Sequence, residues 1–290
     1  MSTFVELTCE GAGGIALYAR DYAGTGGPAR CPVVCIHGLT RNSADFEEVA
    51  PWIAAQGRRV IAVDVRGRGR SARDPDPRRY HPAVYAGDML RLLDDAGIAR
   101  AVFIGTSMGG IITMAIAGKR LRAIAAAVLN DVGPVLSMAG LERIRSYVGK
   151  GEPVRSWDDA AALVKSINEV AFPGNSMADW HAWAKRAFRS DENGNLTLDY
   201  DPQIAASIRD AKLKPTSLVA KLLFRRLARN RPTLLIRGGN SDIVGPEGVQ
   251  YMRKAAPGLQ FAEVPGVGHA PMLTEPAAKG ALSAFLASVP

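Results

Sequence analysis

Residues 101–117, with the sequence AVFIGTSMGGIITMAIA, decide the fold that we predict for this chain. The apolar residues before Gly105 are typical of a buried strand, and those after Ser107 are typical of a helix. The turn between them has the pattern G-x-S-x-G, and glycines at 105 and 109 lack the β-carbons that would collide with the adjoining strand and helix. A glycine turn with a passive serine is the alternative, but the strand before the turn and the helix after it favour an exposed nucleophile at Ser107.

The segments around this stretch alternate between strand and helix patterns. Two N-terminal strands, FVELT and IALYARDY, are separated by a glycine-rich segment that suits a hairpin. Continuous apolar runs such as CPVVCIHG, RRVIAVDVRG and AIAAAVLNDVG then predict strands buried on both faces, with helices between them. The pattern predicts an α/β fold with a mostly parallel central sheet, an antiparallel N-terminal portion and helices on both faces.

This alternation stops at Pro134 and resumes near residue 229. The intervening segments are mostly helical, apart from the polar segment SDENGNLTLDYDP, which we interpret as a turn. From PTLLIRGG onward the chain again alternates strand, helix, strand and helix. The sequence therefore predicts one α/β core formed by residues 1–133 and 229–290, with an inserted helical cap at residues 134–228.

Composition and charge argue against several other classes of protein. Of the 290 residues, 47% are hydrophobic and 22% are charged, as in soluble globular proteins, and no segment approaches the roughly 18 consecutive apolar residues of a membrane span. The opening MSTFVELTCE does not resemble a signal peptide, so we expect a cytoplasmic protein with no membrane partner. The net charge of +8 comes without a nucleic-acid-binding motif, so we interpret it as a solvated basic face and expect no nucleic-acid partner.

The spacing of cysteines and histidines is not typical of a metal site. Three cysteines cannot all pair, and we expect Cys9, Cys31 and Cys35 to be reduced. The four histidines do not form the closely spaced pairs that zinc sites use. We therefore predict neither a metal nor a cofactor.

A serine hydroxyl is a weak nucleophile, so we expect a base and an acid on later loops at the same edge of the sheet. His269 lies in the glycine-rich loop GVGHAPMLTEP after the last predicted strand. Asp242 follows the strand PTLLIRGG, in the loop GGNSDIV, where short loops deliver side chains to this edge. Asp131 in LNDVGP also follows a strand and is an alternative acid, but its loop matches less well than that of Asp242.

Five segments, in order along the chain, resemble the α/β-hydrolase superfamily. They are CIHGLTRN, DVRGRGRS, GTSMGG, GGNSDIV and GVGHAPMLTEP, and the order serine, aspartate, histidine is also that of this superfamily. The resemblance implies that Ser107 attacks a carbonyl carbon of a small-molecule substrate, that His269 accepts the serine proton, and that Asp242 orients the imidazole. It also implies an oxyanion hole formed by the backbone N–H groups of Leu39 and Met108.

We expect several residues near these motifs to have structural and not catalytic roles. We expect His37 to be a structural residue below the oxyanion loop, and Asp64 and Arg66 to pair locally and brace their own loop. Arg41 is expected to be a surface arginine rather than a contact for an anionic substrate. The cap tryptophans are expected to pack within the cap: Trp157, Trp180 and Trp183.

The nucleophile in the turn between strand and helix, which is Ser107 in this chain, distinguishes the reactions that members of this superfamily catalyse. In members that have aspartate at this position, the carboxylate forms an ester with an alkyl carbon of the substrate, whereas a serine such as Ser107 favours acyl transfer. We therefore hypothesise a hydrolase of carboxylic esters or lactones, present as a monomer or homodimer. Hydrolysis of a carbon–carbon bond in a ring-cleavage product is an alternative, because such enzymes share S-M-G-G, although they usually carry Asn where this chain has Thr106. A non-catalytic ligand receptor on the same fold is the alternative from another class.

Overall fold

The computed structural model describes residues 4–151, 154–209 and 215–290. The strands are β1 (Val5–Glu10), β2 (Ala16–Tyr22), β3 (Val33–Ile36), β4 (Val60–Asp64), β5 (Ala101–Thr106), β6 (Ile124–Asn130), β7 (Phe188–Ser190), β8 (Leu196–Leu198), β9 (Thr233–Gly238) and β10 (Gln260–Val264). The α-helices are α1 (Val49–Ala54), α2 (Pro82–Asp95), α3 (Met108–Arg120), α4 (Met138–Tyr147), α5 (Trp157–Asn168), α6 (Met177–Ala187), α7 (Ala206–Arg209), α8 (Leu218–Ala228), α9 (Pro246–Ala255) and α10 (Pro276–Ser288). In the three described ranges, no helix combines the length and the apolar character that a membrane span requires.

Eight of these strands form one sheet in the order β1-β2-β4-β3-β5-β6-β9-β10. The pairs β1-β2 and β2-β4 are antiparallel, and every later pair along the sheet is parallel. Strands β3, β4, β6 and β9 are buried along their whole length, as expected for parallel strands covered on both faces. The predicted α/β fold, with an antiparallel N-terminal portion, is confirmed.

Alternate residues of β5 point to opposite faces of the sheet and enter two different apolar clusters. Phe103 belongs to the cluster beneath α2, α3 and α8, whereas Val102 and Ile104 belong to the cluster beneath α1 and α10. Each of these buried side chains contributes about 1.5–3 kcal/mol of transfer free energy. Helices therefore cover both faces, and β5 is fixed at the centre of the molecule with its carboxyl end at Ser107.

The segment predicted as a cap contains a separate apolar cluster. Helices α5 and α6 pack against each other there, with Trp180 and Trp183 buried between them. The polar segment predicted as a turn is instead the antiparallel hairpin β7-β8. Helix α8, which we placed in the cap, packs on α3 of the core, and its Arg226 Nε donates to the carbonyl oxygen of Ala117 at 2.7 Å. The boundaries 134 and 228 stay predictions.

The segment between β3 and β4, SADFEEVAPWIAAQG at residues 43–57, has a sequence that predicts one helix, but the helix found there is shorter and begins later. The Asn42 side chain accepts a hydrogen bond from the Ala44 N–H and caps a single 3₁₀ turn, Ser43–Phe46. Helix α1 then begins at Val49. Proline lacks an N–H and is tolerated only in the first turn of a helix, so Pro51 requires a helix that begins just before it.

Candidate active site

Ser107 lies in the turn between β5 and α3, at the carboxyl edge of the sheet. Its backbone angles are φ 51° and ψ −112°, a conformation that residues other than glycine rarely adopt. A β-carbon at Gly105 would collide with the backbone of Gly109, and one at Gly109 would collide with the carbonyl of Ile36. These contacts force the sharp turn, and the turn presents Ser107 to a cavity beneath the cap segment.

His269 lies in the loop after β10 and contacts the serine directly. Its Nε2 is 2.9 Å from Ser107 Oγ, and its Nδ1 is 2.8 Å from Asp131 Oδ2. A carboxylate accepts hydrogen bonds, so Nδ1–H donates to Asp131 and the lone pair of Nε2 faces the serine hydroxyl. The imidazole is therefore placed to remove the proton of Ser107.

The carboxylate that holds His269 belongs to Asp131, and not to Asp242 as we predicted from the sequence. Asp131 is fully buried, and its carboxylate also accepts hydrogen bonds from the Gly238 N–H at 3.2 Å and the Ser241 hydroxyl at 2.7 Å. The loop after β9 also reaches this place, but it is Ser241 that faces Asp131, whereas the next residue, Asp242, is held by Arg143 of α4. The loop predicted to supply the acid supplies a hydrogen-bond donor to the acid instead.

The hydrogen-bond partner of Asp242 is on α4 and is not the imidazole of His269. The guanidinium of Arg143 on α4 donates to both of its carboxylate oxygens, at 2.5 and 2.8 Å. Burial alone would raise the pKa of Asp242, but the Arg143 guanidinium outweighs it and holds this pKa below its ordinary value. Asp242 is therefore ionised at neutral pH, and its ion pair joins the loop after β9 to α4.

Leu39 and Met108, the predicted oxyanion-hole residues, follow β3 and begin α3 respectively. Neither backbone N–H donates to a carbonyl oxygen in the described part of the chain. The buried side chain of Arg68 contacts both residues, since its Nε donates to the Leu39 carbonyl oxygen at 2.9 Å and its Nη2 is 3.5 Å from Met108 Sδ. Sequence reasoning missed Arg68, although it lies inside the DVRGRGRS segment.

His37 is a structural residue, as predicted. Its ring is fully buried; Nδ1–H donates to the Gly38 carbonyl oxygen at 2.6 Å, and Nε2 accepts from the Val65 N–H at 3.0 Å. Burial lowers the pKa of His37 to about 3, so the imidazole is neutral at physiological pH. It fixes the loop after β3 to the end of β4.

The predicted local pairing of Asp64 with Arg66 is wrong. The Asp64 carboxylate accepts from the backbone N–H groups of Ser43 and Arg70, at 2.6 and 2.8 Å. Arg66 turns toward α2 instead, where it forms a two-pronged ion pair with Asp88. Asp64 still braces its loop, but through backbone contacts.

The cavity beneath the cap segment has a volume of about 110 Å³. Arg41 lines it and is not a surface arginine as predicted, because it forms an ion pair with Asp45 at 2.7 Å and stacks 4.1 Å above the ring centre of Trp183. Trp183 therefore packs within the cap segment and also forms part of the cavity wall. Much of the remaining wall is apolar and comes from α4 and α5: Ile144, Tyr147, Leu163, Val164 and Ile167.

Within the described residues, no three His, Cys, Asp or Glu side chains are grouped so that they could hold a metal ion. The three cysteines are unpaired with one another, and Cys35 is buried in β3. The groups that meet at Ser107 are side chains and backbone donors of the chain itself.

A comparison with known protein families agrees with the fold. The family described as the alpha/beta hydrolase fold matches residues 32–276, which is most of the chain. The chain belongs to this family, as the motif resemblance indicated.

Three similar proteins that cover most of the chain are described as hydrolases. A crystal structure of an alpha/beta hydrolase from Novosphingobium aromaticivorans is 39% identical, covers 99% of both chains and superposes with a TM-score of 0.90. The 3-hydroxybutyrate-oligomer hydrolase of Cupriavidus necator is 33% identical over 266 residues, which are 90% of each chain. The 2-(acetamidomethylene)succinate hydrolase of Mesorhizobium japonicum is 25% identical over 233 residues, which are 80% of this chain and 79% of that protein.

Proposed function

We propose that this protein is a serine hydrolase that cleaves a small or medium carboxylic ester or a lactone through an acyl-enzyme. The observation that carries the proposal is the hydrogen-bonded series from Ser107 Oγ through His269 to the buried Asp131. A serine becomes a nucleophile near neutral pH when a base accepts its proton and an acid holds that base in the correct tautomer. Asp131 takes the role that the sequence had suggested for Asp242.

The reaction begins when Ser107 Oγ attacks the ester carbonyl carbon and His269 Nε2 accepts the serine proton. Asp131 stabilises the imidazolium that forms. The carbonyl oxygen becomes an oxyanion, which accepts hydrogen bonds from the Leu39 and Met108 N–H groups, each worth about 3 kcal/mol in the transition state. His269 then gives its proton to the leaving oxygen, and the alcohol departs.

The second half of the reaction repeats these steps with water. His269 Nε2 removes a proton from a water molecule, and the water oxygen attacks the acyl carbon on Ser107. The intermediate collapses, the carboxylic acid leaves, and the proton returns to Ser107 Oγ. No electron acceptor or further reactant is needed.

The cavity supports a substrate with a short acyl group. Its volume of about 110 Å³ is similar to that of cavities which bind one benzene molecule. The similarity to the 3-hydroxybutyrate-oligomer hydrolase of Cupriavidus necator also favours esters of short acids.

Turnover of ethyl butyrate by the wild type, a Ser107→Ala variant and a Ser166→Ala variant tests the proposal. Ser166 is an exposed serine on α5, so its variant is a matched control. We expect Ser107→Ala to lose at least about 10³-fold in kcat, because the oxyanion donors alone give only a small residual rate. A fluorophosphonate probe should add one mass increment to the wild type and the control, and none to Ser107→Ala.

Either of two results would contradict the proposal and favour a different function. Wild-type protein that is folded, inactive on every ester and unlabelled by the probe would indicate a ligand receptor. Turnover of a 2-hydroxy-6-oxo dienoate without turnover of any ester or lactone would indicate a carbon–carbon bond hydrolase.

A further inference from the structure

Thr106 is the last residue of β5 and directly precedes the nucleophile. It is partly exposed and lines the cavity together with Ser107, His269 and Pro271. The series of hydrogen bonds from Ser107 to Asp131 does not use its hydroxyl group. Its polar contact is with the side chain of Asn130.

The hydrogen bonds of Asn130 determine how the Thr106 hydroxyl is used. Asn130 is fully buried, and its Nδ2 is 2.7 Å from the Pro271 carbonyl oxygen and 3.0 Å from Thr106 Oγ1. A carbonyl oxygen only accepts hydrogen bonds, so the amide nitrogen must face Pro271. Its two hydrogens are then donated one to Pro271 and one to Thr106. Thr106 Oγ1 is therefore the acceptor in this contact.

The hydroxyl proton of Thr106 remains available to donate a hydrogen bond. A hydroxyl group can accept and donate at the same time, and among the described residues this contact with Asn130 is the one hydrogen bond that Thr106 Oγ1 forms. The oxygen is anchored by a buried amide, so the hydroxyl is a positioned donor at the wall of the cavity and beside Ser107.

We infer that Thr106 is a specificity-determining residue that donates a hydrogen bond from its hydroxyl to a second oxygen atom of the substrate, close to the scissile ester. The inference rests on the proposed ester hydrolysis. It names the substrate class as esters that carry such an oxygen, for example esters of a hydroxy acid. The oxygen can belong to the acyl portion or to the alcohol portion, and the assay separates these cases.

Three esters differ only in this oxygen and are suited to the test. Ethyl butyrate has no second oxygen near the ester, ethyl 3-hydroxybutyrate carries it in the acyl portion, and 2-hydroxyethyl butyrate carries it in the alcohol portion. Acid release by the wild type, Thr106→Val and Thr106→Ser is measured in a pH-stat, with kcat and KM obtained separately. Valine keeps the shape of threonine without the hydroxyl, and serine keeps the hydroxyl.

We expect Thr106→Val to lose about tenfold in kcat/KM on at least one of the two oxygen-bearing esters, and less than twofold on ethyl butyrate. Thr106→Ser should retain the wild-type preference. The ester that responds identifies the portion of the substrate that Thr106 contacts.

Equal losses on all three esters would overturn the inference, because they would show that Thr106 acts only by supporting Asn130. Unchanged rates on all three would overturn it as well. Wild-type protein without activity on any of the three esters would overturn the proposed function first, and Ser107 labelling reports that failure separately. Thermal unfolding of each variant shows whether it is folded.

Discussion

Asp131 and Asp242 are carboxylates on neighbouring loops that have different partners. Asp131 accepts hydrogen bonds from His269 Nδ1, Ser241 and Gly238, and it is shielded from solvent. Asp242 is bound by Arg143, and more than a third of its side chain is exposed. A buried carboxylate with fixed donors can hold the imidazole in one tautomer, whereas a carboxylate paired with an arginine on another helix cannot do so without breaking that pair.

Replacement of each aspartate by asparagine distinguishes the roles of the two carboxylates in the reaction. We expect Asp131→Asn to lower kcat on an ester by about 10³-fold to 10⁴-fold, as the same change does in serine proteases, because asparagine favours the wrong tautomer of the histidine. Asp242→Asn should change kcat less than tenfold and act mainly on KM, since it weakens the contact with α4. Steady-state kinetics of both variants on one substrate give the comparison, and a larger kcat loss in Asp242→Asn would restore the original prediction.

The sequence predicts some residues of this site better than others. Ser107 and His269 lie in segments whose glycines and flanking elements constrain their place. The acid is harder to predict, because the sequence does not show which side chain of a loop faces inward. In the loop after β9, Ser241 faces Asp131 and the next residue, Asp242, faces α4. The role of Arg68 is not visible in its own segment, because its contacts with Leu39 and Met108 join residues that are about 30 and 40 positions away along the chain.

At the scale of elements, the ends of β3 and β4 are joined by an imidazole. His37 follows β3, and its Nε2 accepts the N–H of Val65, which follows β4. This hydrogen bond exists only while the ring is neutral, because a protonated ring has no acceptor. Burial, together with the nearby Arg68 and Arg41 guanidinium groups, lowers the pKa of His37 to about 3 from its ordinary value of 6.5.

The shifted pKa of His37 predicts how stability depends on pH. Between pH 6.5 and 3 the unfolded chain binds a proton at His37 and the folded protein does not, so the free energy of unfolding falls as the pH falls through this window. The slope is at most about 1.4 kcal/mol per pH unit, or about 2 kcal/mol between pH 6.5 and 5. Urea unfolding at pH 7, 6 and 5 should show a shallower dependence in His37→Asn, which cannot titrate there. Parallel curves for the two proteins would contradict the assignment.

The elements that the sequence misses depend on tertiary contacts. The residues of β7 and β8 are polar on one side and have a turn sequence between them, and their pairing is favoured by contact with the cap cluster through Phe188 and Leu196. Helix α8 was predicted as a helix, but its amphipathic sequence fits a cap or a core equally well, so its packing on α3 could not be predicted. The buried parallel strands were predictable because apolar residues run through them without interruption.

At the scale of the whole molecule, one buried arginine joins three parts of the core. Arg66, in the loop after β4, forms ion pairs with Asp88 on α2 and with Asp74, and its Nη2 donates to the Ala12 carbonyl oxygen in the β1-β2 turn. All three charged side chains are fully buried. The N-terminal antiparallel strands are thus connected to the parallel part of the sheet by charge as well as by strand pairing.

Removal of Arg66 should destabilise the whole core. In Arg66→Met the apolar volume is largely kept, but Asp88 loses its charged partner, and the remaining ion pair of Asp74 is the longer contact with Arg79 at 3.4 Å. Leaving buried carboxylates without a counterion costs about 3–5 kcal/mol in the free energy of unfolding. The matched control is Arg78→Met, which removes an ion pair with Asp76 from an arginine that is 89% exposed, so that solvent already screens the charges and we expect little change in the free energy of unfolding. Urea midpoints of the two variants measure the difference, and equal midpoints would show that strand pairing alone holds the N-terminal strands.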